Sequence, residues 1–333
     1  MRWDGDYSYK IYGCEIDVKS WGDKVHFGIV NCSVTKQADD LRYAADINVQ
    51  DYSIDKEVWV RVYMDVSQNG NSEHVPVFTG LATSPSRNRN GDIENAKLEC
   101  YSVLKPCADV LLMRGWYAPA YRSVKKIFNE LLEPCPAPVT FDDDLPTLTT
   151  YMLAEDNESN LSMIDKILNA LNLVMRVDGS GRIHIGRQSL DTAAVFSANG
   201  FDIIQPEVEI SNDWYSCPNV YVAINEELTA IARDDKEDSP LSTVSRGREI
   251  WAMEDSIDLG EDETLAEYAR RMLKEKQKVV ETIKYKRAFL PDIEIGDTVK
   301  LRYKDLNGLY TIISQQYTLG ENVTEEVARV EQN

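Results

Sequence analysis

The chain has 333 residues, 43% of them apolar and 28% charged, and carries a formal net charge of −20. That length supports two or three domains with sizeable cores. The acidic balance argues against non-specific nucleic-acid binding and against attraction to an anionic membrane, since both need lysine and arginine to meet phosphate.

No apolar run approaches the ~18 residues of a membrane span. The opening MRWDGDYSYK lacks the apolar stretch of a secretory signal, so synthesis in a bacterial-type cytosol is expected. Residues 1–103 read as β. Lys24–Val34, Leu41–Val49, Glu57–Asp65, Val75–Thr83 and Ile93–Val103 alternate or are rich in β-branched residues. Ser67-Gln68-Asn69-Gly70-Asn71 is a turn, and Ser84–Gly91, with Arg87 and Arg89, reads as a long exposed loop.

Residues 104–200 read as a small α+β domain. Pro106–Met113 is a short helix with proline near its start. Ser123–Leu132 places Val124, Ile127, Phe128 and Leu131 at helical spacing, and the run Pro134–Pro138 ends that helix. Asn160–Leu171 is a third helix with Leu161, Ile164, Ile167, Leu168 and Leu171 on one stripe. Leu173–Val177 and Arg182–Gly186 form a hairpin around Asp178-Gly179-Ser180-Gly181.

Residues 201–333 turn β again, with Val208–Ile210 and Val220–Ile224 as strands and Arg233–Ser239 as a mobile charged loop. Thr264-x-x-Glu267 is a capping box. It opens a long helix whose buried side is Leu265, Tyr268, Ala269, Met272, Val279 and Ile283. Ile295-Gly296-Asp297 is a tight turn into a strand where Val299, Leu301 and Tyr303 alternate with Lys300, Arg302 and Lys304. Asn307-Gly308 reads as a hairpin turn, with Leu309–Tyr317 as the returning strand. Val323–Val330 is the last strand. Glu57–Asp65 aligns without gaps on Asp297–Asp305, as two copies of one β module would.

Chemistry is sparse. The six cysteines (Cys14, Cys32, Cys100, Cys107, Cys135, Cys217) form no CxxC pair and read as small buried apolar side chains. The three histidines, His26, His74 and His184, lie in strand-like stretches. Gly179-Ser180-Gly181 lacks nucleophile-elbow spacing. Asp4, Asp6, Ser8 and Glu15 imitate a calcium loop, but Tyr9 stands where glycine is needed. Carboxylates adjoin at Asp142–Asp144, Glu155-Asp156, Asp234-Asp235 and Asp292-x-Glu294, as expected of solvated faces in a chain with 56 acids. Trp3, Tyr7, Tyr9 and Tyr12 cluster near the start and suit packing against a neighbour better than sugar binding. No residue is assigned a catalytic, cofactor-binding or metal-ligating role, and no cofactor is expected.

The order of parts resembles the baseplate hub proteins of contractile phage tails, including the late control D type and the hubs of Gram-positive prophages and phage-tail-like bacteriocins. The likeness is carried by VTKQADDLRYAADINV (34–49), VPVFTGLATSPS (75–86) with LECYSVLKP (98–106), AEDNESNLSMIDKILNALNLVMRVDGSGRIHIG (154–186), CPNVYVAI (217–224) and IEIGDTVKLRY…GLYTIISQ (293–315). It implies a β-rich α+β chain in which two tail-tube-like antiparallel β-barrel modules, 1–103 and 201–333, flank the α+β domain 104–200. It also implies a structural subunit without enzymatic activity, located in the baseplate of a virion or phage-tail-like particle. Three copies would form a ring that adapts a sixfold tail tube to a threefold central spike. The partners would be tube, spike and other baseplate proteins. The competing expectations are a peptidoglycan hydrolase using Glu155 with Asp156, or Asp292 with Glu294, and a carbohydrate-binding attachment module using the N-terminal aromatics.

Overall fold

Six antiparallel strands open the fold in the computed structural model, which describes residues 7–38, 41–90, 93–171, 173–187, 191–197, 207–225, 228–254, 264–277, 281–304 and 306–330. They are β1 (Ser8–Asp17), β2 (Gly22–Gln37), β3 (Tyr43–Gln50), β4 (Val58–Gln68), β5 (Asn71–Asn90) and β6 (Ile93–Ser102). They pair in the order β1–β4–β5–β6–β3–β2, and β1 pairs with β2 as well, so the hydrogen-bonded circuit closes. Closure satisfies backbone edges that would otherwise be open. Val60, Val62, Met64 and Val66 of β4 join Phe27, Cys32, Val34, Ile47, Val49, Leu98 and Cys100 in one buried cluster. The period of two along β4 puts Trp59, Arg61 and Tyr63 on the opposite face. In β2 the buried set changes phase between Phe27 and Cys32, and a register shift between Ile29 and Asn31 accounts for it.

Asn69 (φ 50°) and Gly70 (φ 81°) make the turn between β4 and β5, as expected. The loop expected over Ser84–Gly91 is instead strand as far as Asn90; Gly91 lies outside the described residues. β5 runs on to Asn90 and pairs with β6 up to Ile93, while β6 pairs on its other edge with β3 over Asn95–Tyr101. Polar residues mislead there: Pro85, Ser86 and Arg87 are exposed, so no apolar alternation marks this part of the strand. β1 is a further strand that the aromatic cluster obscures.

The next elements are α1 (Lys105–Asp109), β7 (Tyr117–Ala118), α2 (Val124–Leu131), β8 (Val139–Phe141), β9 (Met152–Leu153), α3 (Asn160–Leu171), β10 (Leu173–Val177), β11 (Ile183–Arg187) and β12 (Thr192–Ser197). β10, β11 and β8 form a sheet, with β8 parallel to β11. Its buried Leu173, Met175, Val177, Ile183 and Ile185 share the large cluster with Ile127, Phe128, Ile164 and Ile167 of the helices.

The chain divides into two compact units, 1–208 with 284–333, and 209–283. The second holds β13 (Glu209–Asn212), β14 (Val220–Asn225), β15 (Leu228–Arg233), α4 (Thr243–Arg246), β16 (Trp251–Glu254) and α5 (Leu265–Lys276). β14 lies between β15 and β16, and α5 covers the face made by Tyr221, Ala223 and Ala232 with Leu265, Ala269 and Leu273. The small alanines let the helix approach the sheet. Both bonds of the capping box at Thr264 and Glu267 are present. The helix ends at Lys276, so Ile283 belongs to a strand and not to the helix face; Val279 lies outside the described residues. The loop expected to be mobile after β15 is pinned. Asp234 is buried and accepts from Ser239 Oγ (2.6 Å) and Gln277 Nε2 (3.1 Å).

The last strands are β17 (Glu281–Arg287), β18 (Thr298–Tyr303), β19 (Leu306–Thr318) and β20 (Val323–Arg329). β19 pairs antiparallel with β18, β20 and, over Ser314–Thr318, with Ser33–Gln37 of β2, while β12 runs parallel to β18. The hairpin turn expected at Asn307-Gly308 lies earlier. Tyr303 pairs with Leu306, Lys304 takes φ 53°, and Asn307 and Gly308 sit inside β19 opposite Arg302 and Leu301. The chain is thus the β-rich α+β molecule its patterning predicts.

Candidate functional site

The outward face of β1, β2, β4 and β5 carries a polar and aromatic cluster. Tyr12 stacks on Tyr63 (ring centroids 5.4 Å apart), and both stack on His74. His74 Nδ1 lies 2.5 Å from Asp65 Oδ1. Tyr63 donates to Asp23 Oδ2 at 2.8 Å, and Arg61 Nη1 donates to Asp23 Oδ1 at 3.2 Å. Cross-strand pairing dictates the grouping: Tyr12 faces Tyr63, and Cys14 faces Arg61 on one side and His26 on the other.

The Asp178–Gly181 turn docks on this face. Thr79 Oγ1 donates to Gly179 O (2.8 Å), while Arg61 Nη2 and Trp21 Nε1 both donate to Ser180 O (3.1 Å each). A Cβ at Gly179 would stand 2.0 Å from Pro76 O, and Gly181 has φ +77° with Thr79 only 2.8 Å from its Cβ position. The glycines are there because backbone meets backbone. The turn is a joint between the α+β elements and the strand circuit.

A second joint lies at residues 290–297. Glu294 Oε2 accepts from Lys36 Nζ and from the Tyr43 hydroxyl, both at 2.5 Å. Burial pushes the Glu294 carboxyl up, against the pull of Lys36 and Tyr43 in the other direction. Asp297 accepts from Arg176 Nη1 (2.8 Å) and from the Glu294 amide (2.9 Å), fixing the turn at Gly296. Beside it, Arg287 Nε and Nη2 grip both oxygens of Glu325 at 2.9 and 2.6 Å, with the ring of Phe196 4.9 Å from the guanidinium. Gln315 and Tyr285 also donate to Glu325.

The carboxylates weighed as acid–base pairs have other duties. Glu155 binds Lys166 at 2.7 Å, and Asp156 stands in solvent 4.0 Å from Arg114. Glu294 is tied to Lys36, while Asp292 is exposed. The aromatic patch is split: Tyr7 and Tyr9 lie 6.3 Å apart, and Tyr12 points to the other face of β1. Trp3, Asp4 and Asp6 lie outside the described residues. Glu15, the last of the calcium-like residues, accepts from the Tyr52 hydroxyl at 2.7 Å. All six cysteines are free and buried. The joints at Gly179 and Glu294 are not visible in the sequence, because their partners stand 100 and 258 residues away.

No protein-family model and no curated protein matches the chain. Solved structures match over its whole length. The 43 kDa tail protein of prophage MuSo2 from Shewanella oneidensis aligns with TM-score 0.67 at 14% identity, over 97% of this chain and 98% of that one. A tail protein from Neisseria meningitidis MC58 aligns with TM-score 0.68 at 12% identity, over 97% of each chain. A chain of the Francisella PdpA–VgrG complex aligns with TM-score 0.59 at 11% identity, over 97% of this chain and 58% of its own. The fold is that of these tail proteins and of the PdpA–VgrG complex chain, as the resemblance implied.

Proposed function

We propose that this chain is a structural subunit of a tail baseplate hub, without enzymatic activity. The carrying observation is the end-to-end likeness to two tail proteins, one of them from a prophage, with 97–98% of every chain aligned. Such coverage leaves the whole architecture, not one shared domain, to be accounted for. The closed six-strand circuit is the natural candidate for a tail-tube-like barrel module spanning 1–103, with a second module in 201–333 and the α+β elements of 104–200 between them. In this reading three copies form a ring, two modules each supply six barrel positions, and the ring meets a sixfold tube on one side and a threefold spike on the other. The likeness to a VgrG complex chain favours a spike protein as one partner.

Light scattering over a range of concentrations tests this. The expected mass is three times that of the chain, either alone or once a candidate spike protein is added. A single-chain mass throughout, with no complex with tube or spike proteins, overturns it.

A further inference from the structure

The β1–β2 hairpin carries three ligating side chains that the proposed assembly does not use. Cys14 Sγ, a carboxylate oxygen of Asp23 and a ring nitrogen of His26 lie within 4.8 Å of one another. Strand register brings them together. Cys14 and His26 are cross-strand partners, and Asp23 faces Ile16 just past the bulge at Glu15/Ile16. We infer that Cys14, Asp23 and His26 bind a divalent transition-metal ion of the zinc class.

The donor set argues for that class. Magnesium and calcium take all-oxygen shells, whereas thiolate with imidazole suits zinc and its neighbours. One thiolate and one carboxylate balance the 2+ charge, and three protein ligands leave a fourth position for water. Zinc–ligand bonds of about 2.0–2.3 Å set tetrahedral donors roughly 3.5 Å apart. Side-chain rotation of the exposed Asp23 and His26 closes the spread seen without the ion. Ligation releases the thiol proton to solvent and gives up the contact that Cys14 Sγ makes with Glu15 O at 3.1 Å.

The surroundings hold the ligands. Tyr63 reaches both oxygens of Asp23, at 3.0 and 2.8 Å. The His26 ring tilts against Tyr12 with centroids 5.7 Å apart. Contacts of this kind to metal ligands are worth 10- to 100-fold in affinity. Arg61 is the cation nearest Asp23, and its Nη2 is committed to the carbonyls of Trp21 and Ser180. Its Nη1 donates to the Tyr63 hydroxyl and, of the two Asp23 oxygens, to Oδ1, which leaves a lone pair on Oδ2 beside the Tyr63 bond. The ion would cross-link β1 to β2, the pairing that closes the strand circuit.

The test uses the full chain and the metal alone. Equilibrium dialysis against Zn²⁺ should give one bound ion per chain. Co²⁺ in its place should give a near-ultraviolet thiolate-to-cobalt band together with visible bands. Cys14→Ser should remove the near-ultraviolet band, and His26→Ala, which removes a ligand, should weaken binding by more than the roughly 10- to 100-fold that loss of an outer-shell partner costs. His184→Ala, whose ring bonds to Asp142 and Thr140 outside this cluster, should change neither. Circular dichroism checks the fold of each variant. Substoichiometric zinc, or a cobalt spectrum unaltered by Cys14→Ser, overturns the inference. Should Cys14→Ser fail to fold, unchanged zinc affinity in His26→Ala overturns it independently.

Discussion

Two arginine–carboxylate pairs hold this molecule in opposite settings. Arg287 and Glu325 have side chains 1% and 0% exposed, joined by two bonds and crowded by Gln315 and Tyr285. Arg61 and Asp23 share one 3.2 Å contact, with the carboxylate 29% exposed. The same chemistry therefore does different work. In the buried pair each charge depends on the other, because neither has water to fall back on. In the half-open pair Arg61 matters more for the carbonyls it gathers than for its ion partner.

Breaking the buried pair should have the largest effect. Glu325→Gln leaves Arg287 uncompensated and should cost about 3–5 kcal/mol in urea unfolding. The double change Arg287→Met with Glu325→Leu should recover much of that loss; if it does not, the pair stabilises beyond what apolar packing supplies. Arg61→Ala should cost less, about 1–2 kcal/mol, as expected for a few hydrogen bonds lost from a partly wetted site. It should also loosen the Asp178–Gly181 turn, read as faster amide exchange at Gly181.

The smallest effect concerns a pair between these extremes. Burial disfavours the Glu158 carboxylate, but the Glu155 amide, Lys166 and Ser162 outweigh it and hold its pKa below the usual carboxylate value. The stabilisation is then present above the unfolded value of about 4.3 and is lost as pH falls through the folded one. Glu158→Gln should flatten the decline in melting temperature below about pH 4.5 and leave the neutral-pH slope unchanged.

Much of the fold was legible because local patterning and tertiary demand agree. The α3 stripe and the Thr264 capping box are local devices that the structure keeps unchanged. The two Asn-Gly pairs show where such reading stops. Asn69-Gly70 turns because Gln68 and Asn71 close the hairpin around it. Asn307-Gly308 does not, because the register that sets buried Val299 against buried Tyr310 puts the turn three residues earlier. A one-residue slip would turn those side chains to water, so burial overrides turn propensity. The gapless match of Glu57–Asp65 with Asp297–Asp305 has the same weakness. It places Arg61, in a polar network, on Leu301, in a core. The metal-ligating trio was illegible for a related reason: Cys14 and His26 become neighbours only once the β1–β2 register is known.

The pairing of Ser314–Thr318 with Ser33–Gln37 also sets a schedule for synthesis. The strand circuit of β1–β6 has all its own partners once residue 102 has emerged, but one edge of β2 must wait for β19. At about 5–20 residues per second, the roughly 280 intervening residues take about 15–60 seconds to appear. During that interval the nascent chain presents an unpaired strand edge. Shielding it, by a chaperone or by brisk elongation through the middle of the message, is a condition for a good yield of folded protein.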